Sequence, residues 1–192
     1  MAEFYKKIKL RERYWREAGD RAEKQKVFAM SHRKEEGNQV GCLGEVVFES
    51  LLKNKGIAFI DDRQSTKHDY IVNGYTVDVK TKDRTVRPLK HFDNSVPAYN
   101  HEHQRPNYYY FISLLRDKLV PTNSIRRFTY AFIVGGIDIG VLDERGTRWK
   151  AGDVDPSNGT KFWTDTININ MGFLLENKTM INIFASQSGR SP

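Results

Sequence analysis

The sequence predicts a mixed α/β domain, and three observations carry that prediction. The stretch "NQVGCLGEVVFESLLKNKG" (residues 38–56) places apolar residues at helical spacing and ends on a glycine. The stretch "HDYIVNGYTVDVKTK" (68–82) alternates like two strands around Asn73-Gly74, a strong two-residue hairpin signal. Two later runs, "YYYFISLL" (108–115) and "RRFTYAFIVGGI" (126–137), are apolar enough for central strands.

The elements follow in chain order. Residues 3–36 mix Lys and Arg with Glu, and carry Phe4, Ile8, Leu10, Tyr14, Trp15, Val27 and Phe28. They read as a polar helix packed by one stripe, which Gly19-Asp20 can break in two. Residues 1–37 are thus expected to be a basic helical arm. It offers Lys6, Lys7, Lys9 and Arg13 to phosphates, or Phe4, Tyr14 and Trp15 to a dimer contact.

In the helix that follows, Leu43, Val46, Val47 and Leu51 share one face, while Glu45, Phe48, Glu49 and Leu52 lie on another side. Gly56 suits its C-terminal cap. A short strand "IAFID" (57–61), a polar link and the hairpin come next. Residues 82–107 read as loop with one short helix, before the two apolar strands. The region 38–137 is read as the core. Residues 138–192 hold the turn-rich "DERGTRWKAGDVDPSNGTKFWTD", then "TININ" and "MINIFA", and read as a β-rich extension of the same domain.

The 192 residues suffice for one domain with a sizeable core. A net charge of +7 favours a polyanionic partner, nucleic acid before an acidic membrane surface. The lone Cys42 excludes an intramolecular disulfide framework and fits a reducing compartment. No apolar run of about 18 residues and no signal-peptide pattern is visible. The expectation is an intracellular, cytoplasmic chain that does not enter a membrane.

The hairpin carries the chemistry. With Asn73 and Gly74 as loop residues, Val72 opposes Tyr75, Ile71 opposes Thr76, Tyr70 opposes Val77 and Asp69 opposes Asp78. Residues directly opposite sit about 4.5–5.5 Å apart at Cβ. Period-two alternation puts Lys80 on the face of Asp78 and sends Tyr75, Val77 and Val79 to the core. Two opposed carboxylates destabilise a sheet unless something compensates them. Lys80 is a partial answer. A hard divalent cation is a fuller one, and beside a lysine it suits phosphodiester hydrolysis. The plainer reading of the same residues is a solvated hairpin face.

Other candidates are weaker. "HEH" (101–103) with His91 suggests zinc, but a zinc site wants three or four convergent ligands. "DVDPSNG" (153–159) begins like a calcium loop without its closing Glu and reads as a turn. Trp149 and Trp163 lie near basic residues, where stacking on bases competes with pairing inside the fold.

A helix with "GEVVFESLL", a strand, "HD", and a hairpin into "DVKTK" together resemble the PD-(D/E)XK nuclease superfamily, over roughly residues 38–135. The resemblance implies a restriction-endonuclease-like core: a mixed central sheet flanked by helices. It implies Asp69 and Asp78 as the motif acids, Lys80 as the motif lysine, and Glu45 as the added acid of the first helix. His68 stands where the motif has proline, and residues 97–106 take the place of the family's second helix, which would turn His101 or Gln104 towards the metal cleft. The implied activity is metal-dependent hydrolysis of DNA by a deoxyribonuclease. Mg²⁺ would be held by Asp69, Asp78 and Glu45, with Mn²⁺ substituting. An endonuclease, structure-selective or site-specific and borne by a phage or mobile element, is the expected kind. A homodimer is consistent with a duplex cutter, which needs two active sites. The alternative is a nucleic-acid-binding module that keeps the fold without turnover.

Overall fold

Helical and strand periodicities separate cleanly in the middle of the chain. A computed structural model describes residues 4–24, 34–65 and 67–186. Ten strands and five α-helices occur among them, forming a mixed α/β arrangement with a mixed central sheet. In chain order they are β1 (Lys6–Lys9), α1 (Glu12–Lys24), α2 (Lys34–Asn54), β2 (Phe59–Asp61), β3 (Tyr70–Val72) and β4 (Tyr75–Arg84). Then come β5 (Asp93–Pro97), α3 (Ala98–Gln104), β6 (Tyr108–Arg116), β7 (Phe128–Asp138) and α4 (Ile139–Arg145). The rest are β8 (Thr147–Trp149), β9 (Thr166–Asn170), β10 (Leu175–Glu176) and α5 (Asn177–Ala185).

The large sheet runs β1-β7-β6-β4-β3-β2, with β10 also on β7. β2, β3 and β4 form an antiparallel meander, and β6 joins β4 in parallel. A second sheet, β5-β9-β8, covers part of one face. The alternation along β4 sets this layering. Val77 and Val79 point to the face packed by α1, α2 and α5, where Leu43, Val47, Leu51, Met180 and Phe184 complete the core. The opposite face of β6 and β7 presents Tyr109, Phe111, Val134 and Ile137 to Val96, Leu142, Ile167 and Ile169 of the second layer.

Two close approaches hold the layers together. Gly44 of α2 lies against β4, where an added Cβ would stand 1.8 Å from Thr81 Oγ1 and 2.9 Å from its Cβ. Gly135 takes a φ of 136°, at a register shift between β6 and β7 after Phe111. A side chain there would meet the Leu175 carbonyl of β10.

Several expectations change. Residues 6–9 are not helical: β1 is an edge strand that pairs antiparallel with β7, because β7 offers it a free ladder. Gly19 does not break α1, which runs unbroken past it. Residues 25–33, including Val27 and Phe28, lie outside the described residues. Leu10, Tyr14 and Ala18 are buried in the main core, and Trp15 Nε1 donates to the Phe128 carbonyl at 3.0 Å. Tyr14 and Trp15 thus pack within the chain, Trp15 only partly buried.

The segment read as loop contains β5, and "MINIFA" is helix α5 rather than strand. Met180 and Phe184 are buried while Asn182 between them is exposed, which a helix allows and a strand, with all three on one face, does not. With α4 also helical, the region after 138 is not β-rich but αβ-mixed. No helix of the described residues is long and apolar enough to cross a membrane.

Candidate active site

Asn73 and Gly74 have φ values of 47° and 86°, both positive as the favoured two-residue turn requires. That turn fixes the register: Val72 opposes Tyr75 and Tyr70 opposes Val77. Asp69 follows one step before β3, and its N–H donates to the Val77 carbonyl at 3.1 Å. The Val79 N–H donates to Asp69 Oδ2 at 2.7 Å. The Asp69 and Asp78 carboxyls lie next to each other.

Burial first, then the charge and hydrogen bond of Asp78, push the Asp69 carboxyl well above the usual carboxylate range. Lys80 opposes that shift. Its Nζ lies 2.7 Å from Asp78 Oδ2, while the Asp78 side chain is only 4% exposed. Among the described residues Asp78 Oδ2 has no hydrogen bond beyond that ion pair. The site thus sets two carboxyls side by side, with the Lys80 amine against Asp78.

Glu45 is placed differently. It lies on α2, within electrostatic reach of Asp69, but its Oε2 accepts from Arg63 Nη1 at 2.5 Å. Arg63 also binds Asp61. Burial raises the Glu45 carboxyl, and Arg63 opposes that rise. Among the described residues no group of three or more His, Cys, Asp or Glu side chains converges as a metal site would. The structure therefore brings Asp69, Asp78 and Lys80 together and directs Glu45 to Arg63.

Glu49, one turn on, ties the fold: it accepts from Arg21 at 2.6 and 2.9 Å and from the Tyr70 hydroxyl at 2.9 Å. The sequence offered no periodic signal for Arg63, which lies in the polar link before the hairpin. Lys82 was within reach, since alternation puts it two residues beyond Lys80 on the same face.

β6 supplies the floor. Tyr109 stands opposite Asp78 across the parallel ladder, and Lys80 Nζ lies 5.9 Å from its ring centre. Behind it, buried His101 bonds the Tyr109 hydroxyl through Nδ1 at 3.2 Å and Asp143 through Nε2 at 2.6 Å. Arg105 also binds Asp143. His101 is thus separated from the acid pair by Tyr109, while Gln104 accepts from Asn100.

The remaining candidates have local partners. His103 bonds the Tyr99 carbonyl and stacks on the Tyr99 ring, and His91 packs edge-on against Phe92. Asp155 closes its own turn by accepting from Ser157 and Asn158, as a turn and not a calcium loop does. Trp149 stacks on Phe162, and only Trp163 stays largely exposed, with Lys161 over its ring.

The Asp78 face of β4 continues into a cleft of about 240 Å³ between the two sheets. Lys80 and Lys82 stand along one wall and Asn94 and Ser95 of β5 along the other. No protein-family model matches the chain, and no curated protein matches it.

Proposed function

We propose that the chain is a metal-dependent deoxyribonuclease of the PD-(D/E)XK kind, hydrolysing phosphodiester bonds at Asp69, Asp78 and Lys80. The observation that carries this reading is the abutting Asp69–Asp78 pair with Lys80 at 2.7 Å, at the mouth of a lysine-walled cleft. The order α2, meander β2-β3-β4, α3, β6 also follows the core that the resemblance implies.

The donor set fits a hard cation. Mg²⁺ is commonly bound by one or two carboxylates, completing its shell with water and substrate phosphate. Two neighbouring acids, one with a buried oxygen that meets only the Lys80 ammonium among the described residues, meet that demand without Glu45. Such a cation would polarise a phosphoryl oxygen and lower the pKa of a bound water.

The chain's own groups do the rest. Asp69 would have to be free of any proton to hold the cation, so affinity for it would rise with pH. The Val79 N–H holds Asp69 Oδ2 in place through this change. Lys80 offers its ammonium to the charge that develops on the phosphoryl group. Tyr109 and Phe111 limit water on the floor side, where both are buried.

The Glu45–Arg63 ion pair favours a second reading, a nucleic-acid-binding module without turnover, because it occupies the third acid. Lys80→Met separates the two. Under the nuclease reading the variant retains DNA binding and loses most turnover, since a contact made in the transition state is gone. Equal cleavage by folded wild type and variant would remove Lys80 from the chemistry. DNA binding without cleavage by the wild type, across linear, nicked, branched and single-stranded substrates, would support the binding module.

A further inference from the structure

Asn94 is 1% exposed, and its Nδ2 has no hydrogen-bond acceptor among the described residues. Its Oδ1 faces Arg84 Nη2 at 3.4 Å, which fixes the amide orientation: the reverse would set donor against donor. An unmet buried donor is costly, so its place on the wall of the inter-sheet cleft needs an acceptor.

The same cleft gathers positive charge. Alternation places Lys80, Lys82 and Arg84 on one face of β4, at steps of about 6.6 Å. Arg84 anchors the two sheets by donating to Ser113 Oγ at 3.0 Å and to the Asp93 carbonyl at 2.8 Å. Lys82 Nζ reaches the Asp93 carbonyl at 3.4 Å and Ser95 Oγ at 3.3 Å, both at long hydrogen-bond range. The Ser95 proton is committed to Asn168 Oδ1 at 2.8 Å, so Ser95 accepts from Lys82 and donates away. Asp83 also lines the cleft, and its carboxylate lies 3.5 Å from Arg116.

We propose that this cleft is a phosphate-binding subsite, in which Lys82 and the Asn94 amide hold a phosphate next to the one placed at Asp69, Asp78 and Lys80. Lys80, Lys82 and Asn94 line a space of about 240 Å³, many times the roughly 30 Å³ share of one water. The step from Lys80 to Lys82 along the strand suits successive phosphates of one chain. The site therefore takes the backbone phosphate adjacent to the scissile one. That assignment to a nucleic-acid backbone rests on the nuclease reading; the affinity for a phosphate group does not.

Two measurements on the full chain test it, with Lys82→Gln and Asn94→Asp. The second variant keeps the shape of the side chain but exchanges the donor for an acceptor. In the first measurement, thermal stability is followed with inorganic phosphate against chloride at equal ionic strength. The wild type gains stability with phosphate and both variants lose the gain. In the second, binding to a DNA duplex is titrated over salt in EDTA. The wild-type slope of log K on log salt falls in magnitude by about 0.9 in Lys82→Gln, one phosphate contact's share.

An unchanged phosphate response and salt slope in Lys82→Gln overturn the subsite, even where the wild type still cleaves DNA. Loss of the phosphate response in a chain that neither binds nor cuts DNA keeps the subsite and rejects the nuclease reading. If Asn94→Asp does not fold, Lys82→Gln decides the matter alone, because Lys82 sits on the cleft wall outside either core cluster.

Discussion

Removing one member of the acid pair should change how stability responds to pH and to metal. In Asp78→Asn the negative charge that raises Asp69 disappears, while the burial of Asp69 stays. The sign follows from proton counting. The folded Asp69 has a raised pKa, so the folded state binds more protons than the unfolded one between the two values. Its contribution to stability is fully present below the unfolded pKa and is lost as pH rises through the folded one. The variant lowers the folded value and loses less over that window. Each unit recovered is worth about 1.4 kcal/mol. Lys80 loses its partner at 2.7 Å, which offsets part of the gain but not its pH dependence.

The assay is urea unfolding of both proteins at a series of pH values without metal. The stability difference, variant minus wild type, should grow as pH rises. Mg²⁺ then inverts the order. At 100 times its Kd a ligand of the folded state contributes about 2.7 kcal/mol. For a chain of this size that is a Tm rise of roughly 5–11 °C. The wild type should show it and Asp78→Asn should barely respond. A pH-independent difference together with an identical metal response in both proteins would refute the account of the pair.

Three further outcomes follow from the packing and the ion pairs. Gly44→Ala drives a Cβ into Thr81, with 1.8 Å to Oγ1, so α2 and β4 must separate. The expected cost is about 3 kcal/mol, seen by calorimetry, and Thr81→Ala should recover part of it. Arg21→Ala leaves the Glu49 carboxylate, only 6% exposed, without its main cation, at a cost of about 3 kcal/mol. Burial alone would raise Glu49, but Arg21 holds it low, so this contribution is present above the unfolded pKa and lost as pH falls through the folded one. The gap between Arg21→Ala and wild type should therefore close in acid, opposite in sense to Asp69, and a constant gap would contradict the assignment. Arg63→Ala should push the Glu45 carboxyl further up, since burial then acts unopposed by that guanidinium, and carboxyl NMR titration reads the change directly.

The acid pair was legible because local chemistry dictates it. Asn-Gly demands positive φ at both loop positions, that demand fixes the turn, and the turn fixes which residues oppose. α2 and the two apolar strands were legible through their periods. β1 was not: four residues, "KKIK", become a strand only because β7 has an open edge. β5 was hidden because "DNSVP" buries a polar Asn94 beside Val96 and ends in proline, so no apolar alternation marks it. In "MINIFA" the apolar residues fit either period, and the exposure of Asn182 between buried Met180 and Phe184 decides for helix. The Glu45–Arg63 pair spans 18 residues and depends on where the polar link folds back, which no local pattern encodes.

The central claim is that Asp69, Asp78 and Lys80 form a metal-dependent phosphodiesterase centre. Supercoiled plasmid incubated with the purified chain in Mg²⁺, in EDTA, and with Asp78→Asn in Mg²⁺ tests it most directly. Nicked or linear product should appear with wild type in Mg²⁺ and fall to background in the other two reactions. Cleavage that persists in Asp78→Asn, or that is equal in Mg²⁺ and EDTA, would contradict the claim.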